Sequence, residues 1–138
     1  MPTPVDAVAI EQSVRAMYAS YFACFQRGDA AATAEYFGAP LFRVADGRTT
    51  VSATPEDVRQ LLGAMIERLN ASDYGSSRMA SLEVSVLDGT VVQARARGTR
   101  HDRAGAAFQE FDVLYTLVRP DEADDWRIAS LTSVRGAP

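Results

Sequence analysis

The chain has 138 residues, 47% of them hydrophobic and 23% charged, with a net charge of −4. That is enough for one compact domain with its own core, and the acidic balance argues against nucleic acid or an anionic membrane as partner. All fourteen basic residues are arginine and none is lysine, which excludes Schiff-base, pyridoxal phosphate and Walker-type nucleotide chemistry, each of which needs a lysine amine.

From the N-terminus, Ile10, Val14, Met17, Tyr18, Tyr21, Phe22 and Phe25 recur at three- and four-residue spacing, predicting a helix with one wide apolar face. Tyr21 sits near the middle of that face, and a tyrosine aimed into a core needs a partner for its hydroxyl. The helix should end near Arg27, because Gly28 tolerates the left-handed terminal conformation. Asp29 caps a second short helix running to about Phe37. Gly38-Ala39-Pro40 breaks it, and Leu41 to Val44 alternates in strand period before the Asp46-Gly47 turn and a return through Arg48 to Ser52. Thr54-Pro55-Glu56-Asp57 starts a third helix with a capping threonine, a proline and two carboxylates in the first turn. Its apolar face is Val58, Leu61, Leu62, Met65 and Leu69.

Asn70 to Ser77, rich in Ser, Asp and Gly, reads as a loop. Beyond it the apolar period changes to two. Ala80, Leu82, Val84 and Val86 form one face of a strand; Asp88-Gly89 turns; Val92, Ala94, Ala96 and Gly98 form the matching face of the next, with Arg95 and Arg97 on the polar side. A turn over Arg103–Ala107, a long strand from Phe108 to about Arg119, an acidic loop from Pro120 to Asp125 and a last strand opening at Trp126-Arg127-Ile128 complete the chain. Three helices, a small inserted hairpin and a four-stranded meander predict an α+β fold, a cone-shaped curved antiparallel sheet wrapped around the helices and enclosing a pocket. There is no internal repeat and no linker, so residues 1–138 read as a single domain.

The order of these elements, Tyr21 through Asp29 ahead of Tyr36-Phe37, and the late Trp126-Arg127-Ile128 resemble the nuclear transport factor 2-like superfamily, including SnoaL-like cyclases and ketosteroid isomerases. For the isomerases the resemblance implies a helix-one tyrosine as oxyanion donor, an aspartate base near the first hairpin and a protonated aspartic acid on a later strand. The tyrosine falls on Tyr21. The base falls one place short of Asp46, and a one-residue slip reverses the face of a strand, so Asp46 is either that base or a turn residue. The third role falls to Asp112 of the Phe111-Asp112 pair. Phe111, Val113, Tyr115 and Leu117 are the more apolar phase, which turns Asp112 outward unless a bulge near Gln109 intervenes.

A largely apolar pocket lined by Tyr18, Tyr21, Phe42, Met65 and Tyr115 is expected, holding an apolar small molecule. If there is chemistry, it is isomerisation, cyclisation or dehydration beside a carbonyl, with Tyr21 donating to the oxyanion and Asp46 or Asp112 moving the proton. The other class is a non-catalytic dimeric interaction module. Apolar residues in both phases between Phe108 and Val118 point to a homodimer through the outer sheet face. One histidine, His101, and one cysteine, Cys24, cannot supply an ordinary zinc site, and neither metal nor cofactor is expected. Cys24 reads as a small buried apolar group without a basic neighbour, and Trp126 as a packing residue. No apolar run approaches the roughly 18 residues of a membrane span. Met-Pro-Thr-Pro lacks the features of a signal peptide, and a lone cysteine fits a reducing compartment, so a cytoplasmic location is expected.

Overall fold

The computed structural model describes residues 5–134; the Met1–Pro4 segment read above for a signal peptide lies outside them. Helix α1 (Ala7–Gln26) opens where the Asp6 carboxylate accepts from the Ala9 amide at 3.0 Å, and it closes at Gly28, whose φ of +73° is the left-handed value expected there. Asp29 caps α2 (Ala30–Ala34) by accepting from the Ala32 amide at 3.0 Å. This helix is three residues shorter than the sequence predicts. Phe37 instead opens β1 (Phe37–Ala45), held there by the Ile128 amide donating to the Tyr36 carbonyl at 2.8 Å. β2 (Arg48–Ser52) returns, and α3 (Pro55–Ala71) starts with a full capping box between Thr54 and Asp57, burying Val58, Leu62 and Ile66.

The meander is β3 (Tyr74–Val86), β4 (Val91–Asp102), β5 (Ala107–Val118) and β6 (Arg127–Ser133). β3 begins within the segment predicted to be a loop. Its polar first residues gain their order from distant partners: Tyr74 to Arg78 pair with Thr99 to Asp102, the Gln26 side-chain oxygen accepts from the Ser77 amide at 3.0 Å, and Tyr74 is buried. All six strands form one open, curved sheet in the order β2-β1-β6-β5-β4-β3. It is antiparallel except where β1 runs parallel to β6, so the inserted hairpin extends the meander's sheet.

The concave face carries Phe37, Leu41, Val92, Ala94, Ala96, Tyr115, Leu117, Ile128 and Leu131, all buried with the apolar faces of α1 and α3 in one core. The opposite face carries Phe42, Val44, Arg95, Arg97, Asp112 and Leu114. Among the described residues no helix is long and apolar enough to cross a membrane.

Candidate functional site

The middle of α1 presents Tyr18, Tyr21, Phe22 and Phe25 at positions i, i+3, i+4 and i+7, one face of the helix. They meet Tyr115 and Phe111 from β5, Leu62 and Met65 from α3, and Arg100 from β4 around a cavity of about 60 Å3. The Tyr18 ring packs edge-on to Tyr21 and Tyr115 with centroids 5.3 Å apart, and Tyr21 lies 5.8 Å from Tyr115. This geometry aims three hydroxyls at one point. The Tyr18 hydroxyl donates to the Tyr115 oxygen at 3.4 Å, and the Tyr21 and Tyr115 hydroxyls are 3.2 Å apart. Both separations exceed the usual O–H···O distance of about 2.7–2.8 Å.

Burial pushes the pKa values of all three phenols up, because a phenolate inside this aromatic cage would lose its hydration. For Tyr18 and Tyr21 the neighbouring tyrosines add to the rise. The three hydroxyls are therefore neutral donors, not bases. Arg100 extends over the Phe111 ring, its guanidinium carbon 5.2 Å from the centroid, and one terminal nitrogen donates to the Gln109 side-chain oxygen at 2.9 Å. Loss of hydration lowers its own pKa.

A second space of about 250 Å3 adjoins the first, sharing Phe25, Met65, Arg100 and Ser133. Arg43, Arg68, Leu69, Ser72 and Gln109 complete its wall.

Of the residues singled out from the sequence, Tyr18, Tyr21, Met65 and Tyr115 come together in the cavity wall. Phe42 does not. It is 44% exposed on the convex face, and the side chain that points inward is Leu41, fully buried. The reason lies past an irregularity in β1 between Phe37 and Phe42: there Arg43 pairs with the buried Leu131, so Leu41 and Arg43 take the inward face and Phe42 and Val44 turn out.

Asp46 lies exposed at the tip of the β1–β2 hairpin. Its φ of +54° and the +73° of Gly47 form the left-handed pair that a tight two-residue turn requires. It thus occupies the turn position, one of the two readings the sequence left open, and does not line the tyrosine cavity.

Asp112 is on the convex face. Arg95 donates to its two oxygens at 2.9 and 2.8 Å, and Arg97 lies 3.5 Å away. The Arg95 hydrogen bonds hold its carboxyl below the usual range, the opposite of the protonated acid that the resemblance implied. The β4–β5 register shifts only between Arg100 and His101, beyond Gln109, and Asp112 opposes Arg97 in the unbroken part of the ladder. The irregularity therefore does not turn it inward.

Cys24 is buried as expected, but Arg27, one turn on, reaches its sulfur at 3.3 Å. His101 is half-buried near the end of β4. Trp126 is buried, and its indole nitrogen donates to the Ser13 hydroxyl at 3.1 Å. Among the described residues no three His, Cys, Asp or Glu side chains group as metal ligands would.

Arg100 is the site residue that the sequence reading passed over. The signal was present: it continues the inward phase Val92, Ala94, Ala96, Gly98, and an arginine on an inward phase is the kind of exception that marks a site.

The model of the family described as NTF2-like protein (DUF6841) matches residues 11–136. No curated protein matches the chain in sequence. Among solved structures, an NTF2-like protein with a cystatin-like fold from Novosphingobium aromaticivorans superposes with a TM-score of 0.71 at 17% identity, covering 92% of this chain and 83% of that one. Aln2 from a Streptomyces species gives 0.70 at 21% identity over 98% and 94%. A protein from Shewanella frigidimarina, described as a "putative ketosteroid isomerase", gives 0.67 at 11% identity over 86% and 91%. At these identities the likeness is one of fold.

Proposed function

Because the chain belongs to this NTF2-like protein family (DUF6841), we propose that it is a small-molecule-binding domain whose ligand docks against Tyr18, Tyr21 and Tyr115. The observation that carries this reading is the convergence of three neutral hydroxyls at 3.2 and 3.4 Å. Buried hydroxyls held so loosely have donor capacity left for a better acceptor, such as a carbonyl oxygen entering between them. The 60 Å3 cavity is smaller than the 300–1,000 Å3, roughly, of typical ligand sites, so the rest of the ligand occupies the adjoining 250 Å3.

Among the described residues no carboxylate lines either space. The isomerisation, cyclisation or dehydration implied by the resemblance would therefore have an oxyanion donor here without an aspartate base, and binding is the reading we favour.

A screen of apolar carbonyl-bearing fragments, followed by methyl and aromatic NMR shifts, tests it. Hits should perturb Met65, Leu62 and the three tyrosines together, whereas hits confined to other surfaces would sink the reading. Two substitutions refine it. Tyr115→Phe removes the hydroxyl that both other tyrosines address and is expected to cost about 1–3 kcal/mol of stability by leaving buried donors unpaired. Tyr21→Phe leaves the Tyr18–Tyr115 pair intact and is expected to cost less, about 1 kcal/mol, while still weakening fragment binding. Urea denaturation should reproduce that order.

A second observation supports self-association. On the convex face Phe42 stands directly opposite Val51, 44% and 56% exposed, with Val44 and Leu114 both paired to Thr132 beside them. An exposed apolar group of this kind on an open sheet is suited to an isologous contact, and we infer a homodimer through it. In sedimentation at micromolar concentration the protein should run as two copies, and Phe42→Arg as one. A monomeric parent protein would overturn the inference.

A further inference from the structure

The space beside the tyrosine cavity has an electrostatic character that the apolar reading of the pocket leaves unexplained. Its wall contains three guanidinium groups, from Arg43, Arg68 and Arg100, and no carboxylate among the described residues. Yet acids outnumber bases in this chain, 18 to 14, and the ion pairs elsewhere show that carboxylates are available: Arg15, Arg59, Arg95, Arg97 and Arg103 each have one. Arg43 and Arg100 come from different strands, β1 and β4, and both point to the concave side. Their Nε atoms are buried, and neither Nε has a hydrogen-bond partner among the described residues. A buried N–H on a charged group is normally satisfied, because the desolvated cation gains most from an anionic acceptor. Two such groups facing one space, with a third arginine at its exposed edge, lack a common partner.

We propose that Arg43, Arg68 and Arg100 form a site for the oxyanion head, carboxylate or phosphate, of an otherwise apolar organic molecule whose body extends toward Tyr18, Tyr21 and Tyr115. This rests on the ligand reading above and adds the chemical class. The guanidinium fork presents parallel N–H donors that match two oxygens of one head group. Arg100 is at once a wall of both spaces, so head and body of one molecule meet at its side chain. Its Nη1 is held by Gln109 and its face by Phe111, which fixes the plane of the guanidinium before any ligand arrives.

Three probes with one ring system separate the cases: 2-naphthylacetate, 2-naphthyl phosphate and the neutral 2-naphthylacetamide, titrated by calorimetry with the arginine Nε–H resonances followed by NMR. An oxyanion should bind roughly tenfold or more tightly than the amide and move the Arg43 and Arg100 Nε–H signals. Whichever of the two oxyanions binds more tightly identifies the head group. Arg100→Met should abolish the preference and, without ligand, raise the melting temperature, because a partly buried cation with no carboxylate partner among the described residues has gone. Arg43→Met, on another strand, should also reduce the preference and keeps the test open should the first variant fold poorly. Equal affinity for amide and oxyanions, or a preference unchanged in both variants, overturns the anion site and leaves the tyrosine pocket standing. Failure of all three probes to bind overturns both.

Discussion

Gly98→Val is expected to lower stability by about 3 kcal/mol or more, at the upper end of overpacking changes, and to collapse the site with it. Gly98 is buried in the middle of β4, and a Cβ placed there would sit 2.2 Å from the Arg78 carbonyl oxygen and 2.5 Å from the Phe111 ring. The first contact is with backbone of the neighbouring strand, which cannot rotate away. The second is with the ring that supports the Arg100 guanidinium. Gly98 is thus required for space alone, and its absence of a side chain lets Phe111 cross β4 and form the cavity wall. Against a total of about 5–15 kcal/mol for a domain of this size, such a loss leaves a large unfolded fraction, measurable by urea denaturation. Gly63 provides the internal contrast. It lies within α3 with nothing within 4 Å of an added Cβ, so Gly63→Ala should gain about 0.5–1 kcal/mol from helix propensity. Equal tolerance of both changes would show that the β4 backbone can shift, and the account of the Phe111 crossing would fail.

Trp126→Ala is expected to cost about 3–5 kcal/mol, the range for deleting a buried large aromatic. Trp126 is 4% exposed just before β6 and belongs to the main core. Its indole N–H reaches Ser13 on α1 at 3.1 Å, and the Arg119 guanidinium covers its ring at 4.3 Å from the centroid. Arg119 is itself fixed to the Gly89 and Glu122 carbonyls at 2.8 and 3.1 Å. One side chain therefore ties the acidic loop, the β3–β4 turn and the first helix together. Trp126→Phe keeps most of the apolar volume, loses the Ser13 bond, and should cost about 1 kcal/mol. If the alanine variant lost no more than the phenylalanine variant, the volume argument would be wrong and the hydrogen bond would be the main contribution. Neither Trp126 nor Ser13 lines the tyrosine cavity, so fragment binding by folded Trp126→Phe should match that of the parent protein.

The sequence determined those features whose physics is local. The helix stop at Gly28, the Asp29 cap and the Thr54 box follow from side chains within four residues of the backbone groups they satisfy. The aromatic face of α1 was legible for the same reason, since a 3.6-residue period needs no knowledge of what it packs against, and Tyr18 and Tyr21 came with it. The α+β order and the family resemblance followed from the succession of periods.

Tertiary structure decided what depends on which face of a strand is used. A two-residue period allows either face, and the choice is made by anchors distant in sequence. Pairing of Arg43 with the buried Leu131, past the irregularity between Phe37 and Phe42, set the phase of this half of β1, turning Phe42 outward and Arg43 inward. The Arg95–Asp112 pair gave the aspartate an external partner and removed it from the pocket. The polar start of β3 became a strand only through pairing with β4. The same long-range alignment brought Arg43 and Arg100, 57 positions apart by their numbering, to one space. Single-residue patterns carry no term for that meeting, because it depends on the curvature of the sheet and on the parallel pairing of β1 with β6.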